Sequence, residues 1–256
     1  MTAVERPVAP ADFTSGGPVH IWHCALPRAV GPVHLSLLTA DERQRAARLR
    51  TAAKSAQFVA TRVAVRLVLA DLLATPPLAV RLGRRPCPGC GDPGHGPPVV
   101  AHPRNSLWIS ISHTSGCGLL AVAADPVGVD VERYGGVDAE LLAPEVLTPA
   151  ERAHIDALPD PAQRDRAFLR CWTRKEAVLK GAGVGMAADL RVFDVHPGRA
   201  GDGTAVEVTG RVPGIRTRWE VRDLPLGPAW AAALARPAGL SGPVHLHTLT
   251  WPSWAP

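Results

Sequence analysis

The chain has 256 residues, enough for one large domain or two small ones around a substantial core. At 46% apolar and 20% charged it is not a disordered chain, and its formal charge of +5 suits anionic partners without choosing among phosphates, acidic proteins and nucleic acids. Five cysteines in so long a chain exclude a small disulfide scaffold, and the longest apolar runs, such as 229–235, fall far short of the roughly 20 residues that a membrane span needs.

The chain opens with MTAVERPVAPADF, which has no basic region followed by an apolar stretch. A soluble, reduced, cytoplasmic protein is the expectation. Residues 1–18 contain proline and glycine and read as a loose lead-in. From there the sequence falls into two parts, 19–124 and 125–256, that echo each other. Leu38-Thr-Ala-Asp-Glu-Arg43 returns as Leu147-Thr-Pro-Ala-Glu-Arg152, 109 residues later. Both read as helix starts, with Thr39 and Thr148 as N-caps and Glu42 and Glu151 completing a capping box. Phe58, Arg62 and Arg66 are matched by Phe168, Trp172 and Glu176, at an offset of 110. Trp108, opening the strand WISIS, is matched by Trp219 in RWEVR, and VHIWHC (19–24) stands where VGVDVE (127–132) falls. Each part therefore reads as a strand, a capped helix, a longer helix and one or two strands. The expected class is α+β, with two similar halves related by internal duplication and a pseudo-two-fold, and a site drawn from both.

Residues 83–106 form a long Gly/Pro loop, of the kind that in a compact domain is often functional. It holds Cys87, Cys90, His95 and His102. Two cysteines and two histidines can bind zinc, but the second half of the spacing is unlike common zinc modules, and no stoichiometric zinc is expected. The next segment, Ile109-Ser-Ile-Ser112-His113-Thr114-Ser115-Gly116, is a strand ending in a polar cluster. Such a cluster can bind phosphate through ring and backbone N–H groups, or can simply finish a strand.

In Gly128-Val-Asp130-Val-Glu132, a strand places both carboxylates on one face. Side by side they repel unless a cation or proton is shared, and hard oxygen ligands suit Mg²⁺. An ordinary wet strand carries the same pattern. In the segment 168–181, Trp172, Glu176 and Lys180 share a helical face, Phe168, Cys171, Val178 and Leu179 point inward, and Gly181 and Gly183 offer C-caps. An exposed Glu–Lys pair would read the same way. Against that stands the composition: arginine supplies nearly all the positive charge, and only Lys54, Lys175 and Lys180 are lysines. Two of these lie five residues apart, where a compact ammonium able to move a proton is expected. Towards the end of the chain, Val244, Leu246 and Thr248 alternate with His245 and His247, as in a final strand with one exposed face.

Taken together, ISISHTSG, then GVDVE, then F-xxx-W-xx-KE-A-xx-K-G resembles the signature of 4'-phosphopantetheinyl transferases, and the two-part length resembles the Sfp-type branch. The resemblance covers roughly residues 19–250. It implies transfer of the phosphopantetheine arm of coenzyme A to a serine of an acyl or peptidyl carrier protein, releasing 3',5'-ADP. It assigns Asp130, Glu132 and Glu176 to Mg²⁺, with Asp130 and Glu176 catalytic and Glu176 as the base. Lys180 neutralises the diphosphate and is a candidate to protonate the leaving group. Ser112, His113 and Thr114 would hold coenzyme A, with Arg45 and Arg62 in the first half. Arg43, Arg48 and Arg66 stay open between phosphate contacts and surface arginines, and Thr61 stands where the family usually has glycine. The family's loop lysine is missing, since Pro97 occupies its place, and Arg84, Arg85 or Arg104 could replace it. Carrier contacts are expected within 134–170, in a monomer that binds neither nucleic acid nor membrane. Two other readings remain at this point. A metal-dependent phosphoesterase would hydrolyse its substrate without a carrier, and a degenerate binding module for coenzyme A or a carrier protein would transfer nothing.

Overall fold

The computed structural model describes residues 8–94, 96–184, 188–199, 206–210 and 218–251. A 3₁₀ turn at Pro10–Asp12 precedes β1 (Val19–Ala25), α1 (Pro32–Ser36), α2 (Ala40–Ala47) and the long α3 (Ala52–Leu72). The hairpin β2 (Arg81–Arg84) and β3 (Pro98–His102) brackets the Gly/Pro loop, and β4 (Trp108–Thr114) and β5 (Cys117–Ala123) finish the first half. The second half runs β6 (Gly128–Arg133), α4 (Ala139–Val146), α5 (Pro149–Asp156), α6 (Pro161–Ala182), the short β7 (Phe193–Asp194), β8 (Val206–Glu207) and β9 (Thr209–Gly210), then β10 (Trp219–Asp223), β11 (Trp230–Pro237) and β12 (Val244–Leu249). No helix of the described residues is long and apolar enough to cross a membrane.

The class is α+β, and the halves share a pairing scheme. The first sheet has the order β12-β1-β5-β4 and the second β6-β11-β10-β8, so β1-β5-β4 and β6-β11-β10 repeat one antiparallel arrangement. Both capping boxes form. Thr39 N donates to Glu42 Oε2 and Glu42 N to Thr39 Oγ1, and Thr148 and Glu151 make the same two bonds. The caps close donors that each short helix would otherwise leave open. The capping glutamate then meets a cation from the long helix of its own half: Arg66 reaches Glu42 at 2.6 Å and Lys175 reaches Glu151 at 2.6 Å.

The residues form layers. Val65, Val68 and Leu69 of α3 pack on Ile109, Leu120 and Val122 of the first sheet. The other face of that sheet, with Val19, Ile21, Leu119 and Ala121, meets Val129, Val131, Ala232 and Leu234 of the second. Beyond the second sheet lie Phe168, Cys171, Val178 and Leu179 of α6. Period two in β6 thus sends Val129 and Val131 into the layer between the sheets and leaves Gly128, Asp130 and Glu132 facing α6. Gly128 is indispensable to that contact. A Cβ there would lie 1.8 Å from Ala177 O and 2.4 Å from Gly181 N, so only glycine lets helix and strand backbones touch.

Helix α6 starts seven residues before Phe168, with Asp160 as N-cap and Pro161 at its first position, and stops at Gly183, whose φ of +75° supplies the left-handed C-cap. The final strand does more than close the second half: β12 runs parallel to β1 and extends the first sheet. Its histidines line up beside His20 and Trp22 of β1 on one face of that sheet. His247 stacks on Trp22 and bonds His20 at 2.9 Å, while Leu246 faces water. Residues 8–18 are fastened too, through Ser15 Oγ and Gly16 N, which both donate to Asp125.

Candidate active site

The two sheets meet at the neighbouring edges of β4 and β6, and hydroxyls make the join. Ser110, Ser112 and Thr114 share one face of β4. Ser110 Oγ accepts from Val129 N at 3.0 Å and Ser112 Oγ from Val131 N at 3.4 Å, which satisfies amides on the open edge of β6. Ser112 Oγ donates to Asp130 Oδ1 at 2.7 Å, and Thr114 Oγ1 donates to Glu132 Oε2 at 3.1 Å. The two hydroxyls expected at a phosphate therefore orient the two carboxylates.

Helix α6 lies over this pair. Lys180 Nζ donates to Asp130 Oδ1 at 2.5 Å and to Ser112 Oγ at 3.0 Å. Trp172, two turns back on the same stripe, lies close enough to Glu132 to favour its charged form. Asp130 is 3% exposed and Glu176 6%, and Asp130 Oδ2 and Glu176 Oε1 have no hydrogen-bond partner among the described residues. Burial, with Asp130 and Glu132 adding to it against the pull of Lys180, raises the Glu176 carboxyl to about 7. Burial and Asp130 also push Glu132 upward, against Thr114, Lys180 and Trp172. Three acids, one ammonium and two orphaned buried oxygens leave an excess of negative charge that a hard cation would relieve. The donor set therefore fits Mg²⁺ in chemistry, although among the described residues no three acidic, histidine or cysteine side chains are already drawn together as a ligand cluster.

On the opposite face of β4, His113 lies within electrostatic reach of Arg62 of α3 and Arg45 of α2. Desolvation, then the cations Lys180, Arg62 and Arg45, hold its imidazole below the ordinary value, with Asp130 opposing. His113 thus feels both Lys180 with Asp130 and two of the arginines, Arg45 and Arg62, that with Arg81, Arg84, Phe58 and Gly94, among others, line a cleft of about 770 Å³. Arg45 and Arg62 both lie on the Phe58 ring, at 5.2 and 5.4 Å. Burial, then the neighbouring guanidiniums of Arg45, Arg84 and Arg66, lowers the pKa of Arg62, with Glu42 opposing. Crowded arginines of this kind mark a place for an anion.

Of the three arginines able to replace the missing loop lysine, Arg84 lines the cleft and reaches Gly96 O at 2.7 Å. Arg85 is spent on the Trp108 ring at 4.1 Å, and Arg104 is absent from the lining. Arg66 also borders the cleft, but its guanidinium is buried against Glu42, Pro77 O and Val80 O, so it braces helices rather than facing solvent. Arg43 donates to Leu38 O, beside its own helix start. In the Gly/Pro loop, His95 lies outside the described residues, and His102 is exposed on β3.

Two buried cations of α6 went unforeseen. Arg174 uses its whole fork: it grips Asp223 with two bonds and donates to the carbonyls of Val195, His196 and Arg199. Lys175 donates to Val146 O and Leu190 O and pairs with Glu151, away from the carboxylates of β6. Its compact ammonium has three acceptors within 2.8 Å, one for each N–H.

The family model described as the 4'-phosphopantetheinyl transferase superfamily matches residues 126–235, the span that carries Asp130, Glu132, Glu176 and Lys180. Over that span the chain is similar to that superfamily. It is 29% identical over 175 residues to the 4'-phosphopantetheinyl transferase HetI of Nostoc sp., covering 66% of this chain and 70% of the relative. To psf-1 of Bacillus pumilus, another 4'-phosphopantetheinyl transferase, it is 31% identical over 160 residues, or 61% and 64% of the two chains. A 4'-phosphopantetheinyl transferase of Bacillus subtilis is 29% identical over 147 residues, 56% of this chain and 63% of that one. These lengths exceed the span of the superfamily model, so the likeness to the relatives reaches beyond the acid-bearing region.

Proposed function

We propose that this transferase moves the 4'-phosphopantetheine group of coenzyme A to a serine of an acyl or peptidyl carrier protein and releases 3',5'-ADP. The observation that carries the reading is a cleft lined by Arg45, Arg62 and Arg84 together with a cluster of Lys180 and three acids, with His113 within electrostatic reach of both. An elongated, multiply anionic substrate fits such an arrangement, with its diphosphate at the acidic end and its nucleotide in the cleft.

The serine oxygen forms a bond to the phosphorus bearing pantetheine, and the bond from that phosphorus to the bridging oxygen breaks, leaving with the ADP. Glu176, raised to about 7 and with one oxygen unpartnered, is placed to take the hydroxyl proton. Lys180 meets the negative charge that develops on the leaving phosphate. Asp130, Glu132 and Glu176 would hold Mg²⁺, which when bound neutralises the diphosphate and keeps it open to attack. Ser112 and Thr114 orient the acids, and His113, Arg45 and Arg62 hold the phosphates and nucleotide. Both halves of the site lie in one chain, which supports action as a monomer, and we place it in the cytoplasm, where coenzyme A is found.

The test is incubation with coenzyme A, Mg²⁺ and an apo carrier protein. A mass gain of about 340 Da on the carrier, the phosphopantetheine arm, is expected. Asp130→Ala should abolish it even at saturating Mg²⁺. Hydrolysis of coenzyme A with no gain on any carrier would refute the transferase reading.

A further inference from the structure

The five cysteines divide sharply. Burial pushes Cys24 and Cys117 up to about 12, with Cys24 adding to the effect on Cys117, and pushes Cys171 well above the ordinary thiol. These three are inert packing groups. Cys87 and Cys90 differ. Burial pushes the Cys87 thiol up as well, but hydrogen bonds from the Cys90 and Gly89 amides and from the Cys90 side chain outweigh it, and the net shift is downward. Cys87 is buried and Cys90 exposed.

The turn Cys87-Pro-Gly-Cys90 is closed at both ends: Gly91 N donates to Cys87 O at 2.7 Å and Cys87 N to Asp92 O at 2.9 Å. Gly91, at φ +78°, makes the reversal. A closed turn brings its first and fourth Cα atoms within ~7 Å, near the span that a disulfide bridges, and the two side chains are already in hydrogen-bond contact. The turn also leans on the helix that carries Glu176 and Lys180. A Cβ on Gly183, the C-cap of α6, would come within 3.4 Å of Pro88, and one on Gly89 within 3.6 Å of Val184.

We propose that Cys87 and Cys90 form a dithiol site that exchanges with small-molecule disulfides and closes an intramolecular Cys87–Cys90 disulfide. The exposed Cys90 thiolate attacks one sulfur of R–S–S–R, forming Cys90–S–S–R and expelling RS⁻. The Cys87 thiolate then attacks the Cys90 sulfur, forming the Cys87–Cys90 bond and expelling the second RS⁻. The two leaving thiolates take up the protons that the cysteines gave up, so two protein thiols are oxidised as one small disulfide is reduced to two thiols. The amide donors at Cys87 favour the second step by stabilising the thiolate it passes through.

The test treats the reduced, full-length chain with hydroxyethyl disulfide under native conditions and follows intact mass and peptide maps. The wild type should lose about 2 Da, two hydrogens, at the Cys87–Cys90 peptide. Cys87→Ser should stop at the mixed disulfide on Cys90, and Cys90→Ser should stay unmodified while folded. Thermal melting of each variant separates a local effect from unfolding. A wild type that accumulates the mixed disulfide, or reacts no faster than Cys90→Ser, overturns the proposal. So does a chain isolated with one metal ion on the pair that blocks exchange until it is chelated.

Discussion

Lys175 Nζ lies 2.6 Å from Glu151 Oε2, and neither side chain is exposed. Glu151 also accepts from Thr148 N and, through Oε1, from Val195 N, so one carboxylate ties a helix start, the long helix and the residue that follows β7 together.

Breaking such a pair leaves a buried charge without its partner, which costs about 3–5 kcal/mol. Lys175→Met should lower unfolding free energy by that amount in urea titration, while turnover per folded molecule stays near wild type. Lys175→Arg should fail to rescue stability, because the acceptors are arranged for an ammonium. Full stability with lost turnover would instead put Lys175 in the chemistry.

The hydroxyls of β4 can be told apart by the same logic. Ser110 only caps Val129 N, whereas Ser112 contacts both Asp130 and Lys180. Ser112→Ala should lower transfer about 10- to 100-fold, as loss of a group that orients a ligand does, with little change in coenzyme A affinity. Ser110→Ala should cost about 1–3 kcal/mol of stability and leave transfer intact. Equal effects on turnover would show that Ser112 has no orienting role.

The acid pair was legible because period two is a local signal, and the stripe of Trp172, Glu176 and Lys180 because helical spacing is too. Both capping boxes were legible for the same reason: cap and glutamate lie three residues apart. Arg66, Arg174 and Lys175 were not, because burial of a cation depends on acceptors far off in sequence: Asp223 for Arg174, Glu42 for Arg66. The composition argument grouped Lys175 with Lys180, yet the lysines survive for different physical reasons. The return of β12 to β1 was hidden likewise, since nothing near residue 244 encodes a partner at residue 19.

That return carries a pH dependence. Burial, then His247 and His245, lowers His20 from 6.5 to about 4, with Asp12 opposing. The unfolded chain binds this proton as pH falls below about 6.5, and the folded one only near 4. The unfolded state therefore holds more protons in between, and the His20 contribution, fully present above 6.5, is lost as pH falls through that window. The urea midpoint of His20→Gln should accordingly vary less between pH 7 and 5 than that of the wild type. The raised carboxyl of Glu176 acts with the opposite sign in both proteins and cancels in the comparison. Parallel curves would remove His20 as the source.

Lys180 tests the proposed chemistry most directly. Its Nζ sits between Ser112 Oγ at 3.0 Å and Asp130 Oδ1 at 2.5 Å, and its side chain is 29% exposed, so it can reach towards a bound diphosphate. If it supplies charge alone, Arg should serve, being permanently cationic and able to grip phosphate with two bonds. If it delivers a proton to the leaving phosphate, Arg fails, because its pKa lies above ~12. We expect Lys180→Arg to keep coenzyme A binding within a few-fold while single-turnover transfer falls by about 10²–10⁴, as for a lost acid–base group. Normal turnover would make Lys180 an electrostatic clamp and remove proton delivery from its role. A large loss of binding would mean that the wider fork no longer fits beside Ser112, and Lys180→Gln, which is shorter, neutral and likewise unable to protonate, would then separate fit from chemistry.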